Sequence, residues 1–104
     1  MSVQWRQTEG QLVLAGAIDF SDAEAVRDEG LRRLAALPDV AIDVHALTRV
    51  DSITVVVLLA WWRAAQRMGR PWHLQGASER LQAIVGVSGL SFLFVRDAGN
   101  RSDQ

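Results

Sequence analysis

Apolar and polar residues alternate over 3–7, as they do in a strand with one covered face. Glu9-Gly10 supplies a turn and 11–17 a second strand, so the chain opens on a hairpin. Phe20-Ser21-Asp22 then starts a helix, with Ser21 as its expected cap. Val26, Gly30, Leu34 and Leu37 share one stripe of it. The helix ends before Pro38, whose ring disfavours helical backbone at the preceding residue. The nearly continuous apolar run 40–44 predicts a short central strand covered on both faces, with 45–49 as the loop that follows.

The longest apolar pattern opens at Asp51-Ser52 and runs to Met68, with Gly69 as its C-cap. At about 100° per residue, Thr54, Val57, Leu58, Trp61, Ala64, Ala65 and Met68 fall on one side, which is a core-facing stripe. The opposite side carries Ser52, Val56, Leu59, Arg63, Gln66 and Arg67, flanked by Val55 and Trp62. An outer helix face is normally polar along its length. Here Val55, Val56, Leu59 and Trp62 form an apolar strip with no core to enter. Asp51 and Ser52 both have oxygens suited to the free amides of a helix start.

Pro71 begins a strand over 71–75, and Ser78 caps a helix from Glu79 to Val87. Leu90, Phe92, Leu93 and Phe94 fold back onto the sheet. The order is β-β-α-β-α-β-α, an α/β fold with a mixed sheet, an N-terminal hairpin and packed helices. Residues 1–97 form the domain and 98–104 a small, polar tail.

A chain of 104 residues supports one modest core. Its net charge of −1 offers nucleic acid no basic stripe; all eleven cations are arginines, and they are scattered. With no cysteine, disulfides, thiolate metal sites and cysteine nucleophiles are excluded. The N-terminus lacks the apolar core of a signal peptide, and the longest apolar run, 55–62, is less than half a membrane span. A cytosolic protein is expected, able to work beside a membrane.

Catalytic signals are lacking. There is no glycine-rich phosphate loop and no nucleophile elbow. His45 and His73 have no ligand-like spacing, and the carboxylates form no catalytic pair. His45 near Asp43 has the composition of a metal or acid–base pair, but a loop histidine at a strand end is the commoner explanation. Trp61 belongs to the core stripe, and Trp5 and Trp72 fall in strands; Trp62, beside the apolar strip, is the best interface candidate. The expectation is a protein that is not an enzyme, with no cofactor.

Ala41-Ile42-Asp43-Val44 followed by Val50-Asp51-Ser52 and an apolar helix resembles the STAS domain family, the sulphate transporter and anti-sigma factor antagonist domains. Gly69-Arg70-Pro71 and the closing stretch 88–94 resemble the same family, so the likeness spans about residues 3–96. The single-domain form with a hydroxyl residue directly after the aspartate, matched by Ser52, is similar to the cytosolic B subunit of the Mla phospholipid transporter. That likeness implies a non-catalytic subunit bound to the ATPase of an ABC complex at the inner membrane, in a system maintaining outer-membrane lipid asymmetry. Thr48, Arg49, Asp51, Ser52, Val55, Val56, Leu59, Trp62 and Arg63 would form the contact. The family's other branch, the anti-sigma factor antagonists, implies a phosphorylation-controlled partner switch. Its modified serine matches Ile53 here, which leaves Ser52 as the candidate acceptor.

Overall fold

The computed structural model describes residues 2–95. The expected tail over 98–104 lies outside the described residues. Strands β1 (Val3–Thr8) and β2 (Gln11–Gly16) form the opening hairpin, turned at Glu9 and Gly10, both at positive φ. Strands β3 (Val40–Leu47) and β4 (Trp72–Gln75) complete a sheet of order β1-β2-β3-β4, in which β1 is antiparallel to β2 and the other neighbours are parallel. The α/β fold with a mixed sheet and an N-terminal hairpin is as the sequence pattern indicates.

Helix α1 (Ala23–Leu34) carries the chain from β2 to β3, and α2 (Ser52–Met68) from β3 to β4. Two right-handed crossovers advancing in one direction place both helices on the same face of the sheet. They pack so closely that a Cβ on Gly30 would lie 2.2 Å from the Trp61 ring, which explains the glycine in the α1 stripe. Trp61 Nε1 donates to the Arg27 carbonyl at 3.0 Å, satisfying the polar edge of a fully buried side chain. Helix α3 (Glu79–Val87), capped by Ser78 Oγ on the Leu81 amide at 3.1 Å, buries Leu81 and Val85 in the same core.

Register decides which strand residues enter that core. Trp5 pairs with Leu14, Leu12 with Ile42, and Ile42 with Leu74, and all of these side chains are buried or half-buried under the helices. Their neighbours Arg6, Val13, Asp43 and Gln75 form a row across the other face. On that row Val13 and Asp43 are buried, Gln75 is half-buried and Arg6 is exposed, and β3 lies inside the sheet between β2 and β4.

Two local expectations also change. Ser21 is not a cap: a 3₁₀ turn over Phe20–Asp22 precedes α1, and neither turn nor helix has a side-chain cap. Asp22 is occupied elsewhere, accepting from the Ser2 amide at 2.5 Å and the Ser2 hydroxyl at 2.8 Å. Residues 45–47 are strand rather than loop. Between Val13–Asp43 and Ala15–Ala46 the ladder gains one residue on β3, a bulge that lets pairing continue to Leu47. Asp43 Oδ1 accepts from the His45 amide at this irregularity, 2.9 Å away.

The C-terminus of α1 is completed from a distance. Arg70 Nη1 donates to the carbonyls of Leu34, Ala35 and Leu37 at 3.3, 2.6 and 2.8 Å. A second 3₁₀ turn, Ser91–Phe94, returns to the sheet, where Trp72 Nε1 donates to the Leu93 carbonyl at 2.9 Å and Leu93 is fully buried. Among the described residues no helix is long and apolar enough to cross a membrane.

Candidate docking surface at the start of the second helix

The start of α2 is built by division of labour between its two cap candidates. Asp51 Oδ1 accepts from the Ile53 and Thr54 amides at 3.1 and 3.3 Å, while the Thr54 hydroxyl accepts from the Asp51 amide at 3.3 Å. This reciprocal capping box uses threonine in the place usually held by glutamate or glutamine. Asp51 therefore satisfies the helix amides, and Ser52 becomes the first helical residue instead of the cap. Its side chain is exposed and its hydroxyl makes no hydrogen bond among the described residues.

The loop before the cap is fastened to the hairpin. Arg49 Nη2 donates to Asp19 Oδ1 at 2.9 Å and to the Ile18 carbonyl at 3.4 Å, with Nε 3.8 Å from Asp51 Oδ2. Hydrogen bonding to Asp19 holds the guanidinium firmly protonated, against a smaller opposing effect of burial. The Thr48 amide and hydroxyl both donate to the Gly16 carbonyl, at 2.7 and 3.3 Å. Thr48 and Arg49 remain exposed, with these polar atoms engaged inside the domain.

The apolar strip is less open than its pattern implies. Val55 is buried at 4% exposure, so its placement in an exposed strip is corrected. Leu59 and Trp62 are half-buried and pack on the core. Phe92 of the closing turn covers Trp62, with ring centroids 4.5 Å apart. A later segment of the chain thus fills one flank of the strip. Val56, at 61% exposure, and Arg63 remain on the surface.

The other flank, facing α1, is open. Val56, Ile53 and Val57 of α2, with Ala23 of α1 and Phe20 of the turn before it, line a groove of about 500 Å³ rimmed by Glu24 and Arg27. Phe20 is 83% exposed. Sequence reasoning missed it, because an aromatic at a helix start is ordinarily read as an anchor. Its isolation from the Val26–Gly30–Leu34 stripe was the available signal.

Asp43 and His45 do meet, with His45 Nδ1 2.7 Å from Asp43 Oδ1. Burial raises the Asp43 pKa, but hydrogen bonds from the His45 amide, the His45 ring and Gln75 outweigh it and hold the carboxyl below its ordinary value. Gly76 belongs to this knot: at φ +80°, a Cβ there would lie 2.5 Å from Asp43 Oδ1. The arrangement closes a strand irregularity. Among the described residues no three His, Asp or Glu side chains are grouped to hold a metal ion.

A mixed sheet with its helices on one face, and an aspartate-capped helix following the third strand, define the class. Residues 1–95 match the family described as "Mlab, STAS domain", and the chain belongs to the STAS domain family. Solved structures agree in fold. RsbS of Moorella thermoacetica, in a serine-to-glutamate form, matches at 23% identity and TM-score 0.70, over 98% of this chain and 90% of that one. The anti-sigma factor antagonist SpoIIAA in its unphosphorylated form matches at 19% identity and TM-score 0.70, over 89% and 85%. An anti-sigma factor antagonist from Mycobacterium paratuberculosis matches at 21% identity and TM-score 0.61, over 89% and 81%. The search of curated proteins returns no match.

Proposed function

We propose that this domain is a non-catalytic docking subunit that binds and supports the ATPase of an ABC lipid transporter, using the start of α2. The observation that carries the reading is the exposed Ser52 hydroxyl, with no hydrogen bond among the described residues, beside exposed Val56 on a helix already capped by Asp51. A hydroxyl not required by its own helix is available to a partner, and the exposed valine adds apolar contact. The transporter assignment is supported by the family description, which names the Mla B-type subunit over nearly the whole chain. The protein would act in the cytoplasm and reach the inner membrane through its partner. Thr48, Arg49 and Arg63 would edge the contact, with Arg63 suited to a partner carboxylate.

The neighbours named as anti-sigma factor antagonists favour a second reading, a partner switch controlled by phosphorylation. Ile53, where that branch carries its modified serine, is half-buried and has no hydroxyl. The switch would therefore have to use Ser52, adding roughly −1.5 to −2 charges next to Asp51. Affinity purification from native cells, with mass spectrometry of co-purifying proteins and of Ser52, separates the two. Recovery of an ABC ATPase with its permease and unmodified Ser52 is expected. Recovery of a sigma-regulating kinase with phosphate on Ser52 would overturn the transporter reading.

A further inference from the structure

The arginines of this domain fall into two groups. Arg27, Arg32 and Arg33 of α1 each pair with a carboxylate of the same helix, among Glu24, Asp28 and Glu29. Arg49 holds Asp19, and Arg70 and Arg80 donate to backbone carbonyls. Arg63 and Arg67 differ: both are exposed, and neither has an ion pair or hydrogen bond among the described residues. Arg6 shares that state but lies on the opposite face of the sheet. Arg63 and Arg67 are the only formal charges on α2, which carries no acidic residue. Four residues apart, they sit on successive turns of one side and repel each other. The helix dipole favours Arg67, in the last turn, but its influence has faded at Arg63. At about 100° per residue, Ser52 and Val56 lie on the same outer line. The ridge thus runs from a hydroxyl, past an apolar side chain, to two uncompensated cations.

We propose that the docking partner lays an acidic segment along this ridge, with an apolar side chain on Val56 and two carboxylates on Arg63 and Arg67. That partner is the ATPase of the transporter reading, on which the proposal rests. The contact then extends from the start of α2 to Arg67, and the charge of the partner's surface is specified. Arg63 and Arg67 are one turn apart, a rise of about 6 Å, and Val56 precedes Arg63 by about 10 Å of helix. The partner's carboxylates must match that spacing, as acids on successive turns of a helix do. Guanidinium forks suit carboxylates through paired parallel bonds. Complementary charge of this kind fixes register and speeds encounter. An anionic bilayer fits less well. It draws on clusters of roughly four to eight cations, whereas the ridge has two and the chain's net charge is −1.

The test measures binding kinetics of the purified full chain to the ABC ATPase that co-purifies with it, at low and high salt. Arg63→Gln and Arg67→Gln together should raise the dissociation constant about tenfold at low salt, mainly through slower association. The gap should close at about 1 M salt, where charges are screened beyond about 3 Å. Both side chains are exposed, and glutamine suits a helix nearly as well as arginine. The double variant should therefore keep the wild-type circular dichroism spectrum. Val56→Asp, measured alongside, separates this proposal from the reading beneath it. If Val56→Asp loses the ATPase while the double variant binds like wild type at both salts, the acidic segment is overturned and the docking reading stands. A loss in the double variant that persists at high salt also overturns it. If wild type recovers no ATPase, both fall together. Binding of wild type, but not of the double variant, to vesicles of phosphatidylglycerol would assign the arginines to a bilayer and overturn the proposal.

Discussion

The two flanks of α2 begin with similar chemistry and end in different states. Toward α3, Trp62 is closed over by the Ser91–Phe94 turn, with Phe92 against the indole, and Leu59 packs on the core. Toward α1, Ile53 and Val56 are left beside an open groove with Phe20 at its edge. An apolar stripe on a helix states that something must cover it. It does not state whether the cover is a later part of the same chain or another molecule. The closed flank contributes to folding, and the open flank is where a partner has room.

That contrast can be broken most forcefully at the seam the two regions share. Trp61→Ala removes a fully buried indole and its bond to the Arg27 carbonyl, and should cost about 3–5 kcal/mol in chemical denaturation. Next comes the closed flank, where Phe92→Ala should cost about 1–2 kcal/mol, through a lost aromatic pair and partial burial. The open flank should respond oppositely: Val56→Asp should leave stability within about 0.5 kcal/mol while weakening partner capture. The cap sharpens the same distinction at neighbouring positions. Asp51→Ala should cost about 0.5–2 kcal/mol, whereas Ser52→Ala should shift stability by less than about 0.5 kcal/mol, because Asp51 alone serves the helix amides.

The smallest effect concerns pH. Asp43 has a depressed folded-state pKa, so the unfolded chain binds more protons as the pH falls. Its stabilising contribution is present above the unfolded value of about 3.9 and is lost as pH falls through the lower folded value. Urea midpoints measured across that acid range should fall less steeply for Asp43→Asn than for wild type. Equal slopes would show that the knot with His45 and Gln75 contributes nothing.

Periodicity carried most of the fold. The α2 stripe from Thr54 to Ala65 is buried, and the Val26–Gly30–Leu34 stripe packs as its spacing implies. The Glu79–Val87 helix and its Ser78 cap follow from propensity and cap chemistry. What was not legible depended on distant pairing. The extension of β3 through His45 comes from a bulge against β2 and a hydrogen bond to Asp43, neither of which leaves a local pattern. Ser21 failed as a cap because Ser2, far away in the chain, engages Asp22 and a 3₁₀ turn intervenes. For the docking surface, Ser52 and Val56 were visible as members of an outer face. Val55 was misplaced because it stands at the edge of the stripe, where a few degrees of helix rotation decide burial. Phe20 was missed because its exposure is set by the turn that precedes α1.

The most direct test of the open flank compares wild type with Val56→Asp in affinity purification from native cells. Both chains are first checked for the same circular dichroism spectrum and unfolding midpoint. Wild type should bring down an ABC ATPase with its permease, and Val56→Asp should lose both while remaining folded. Undiminished recovery of the same complex by Val56→Asp would contradict it, and would move the contact away from the start of α2.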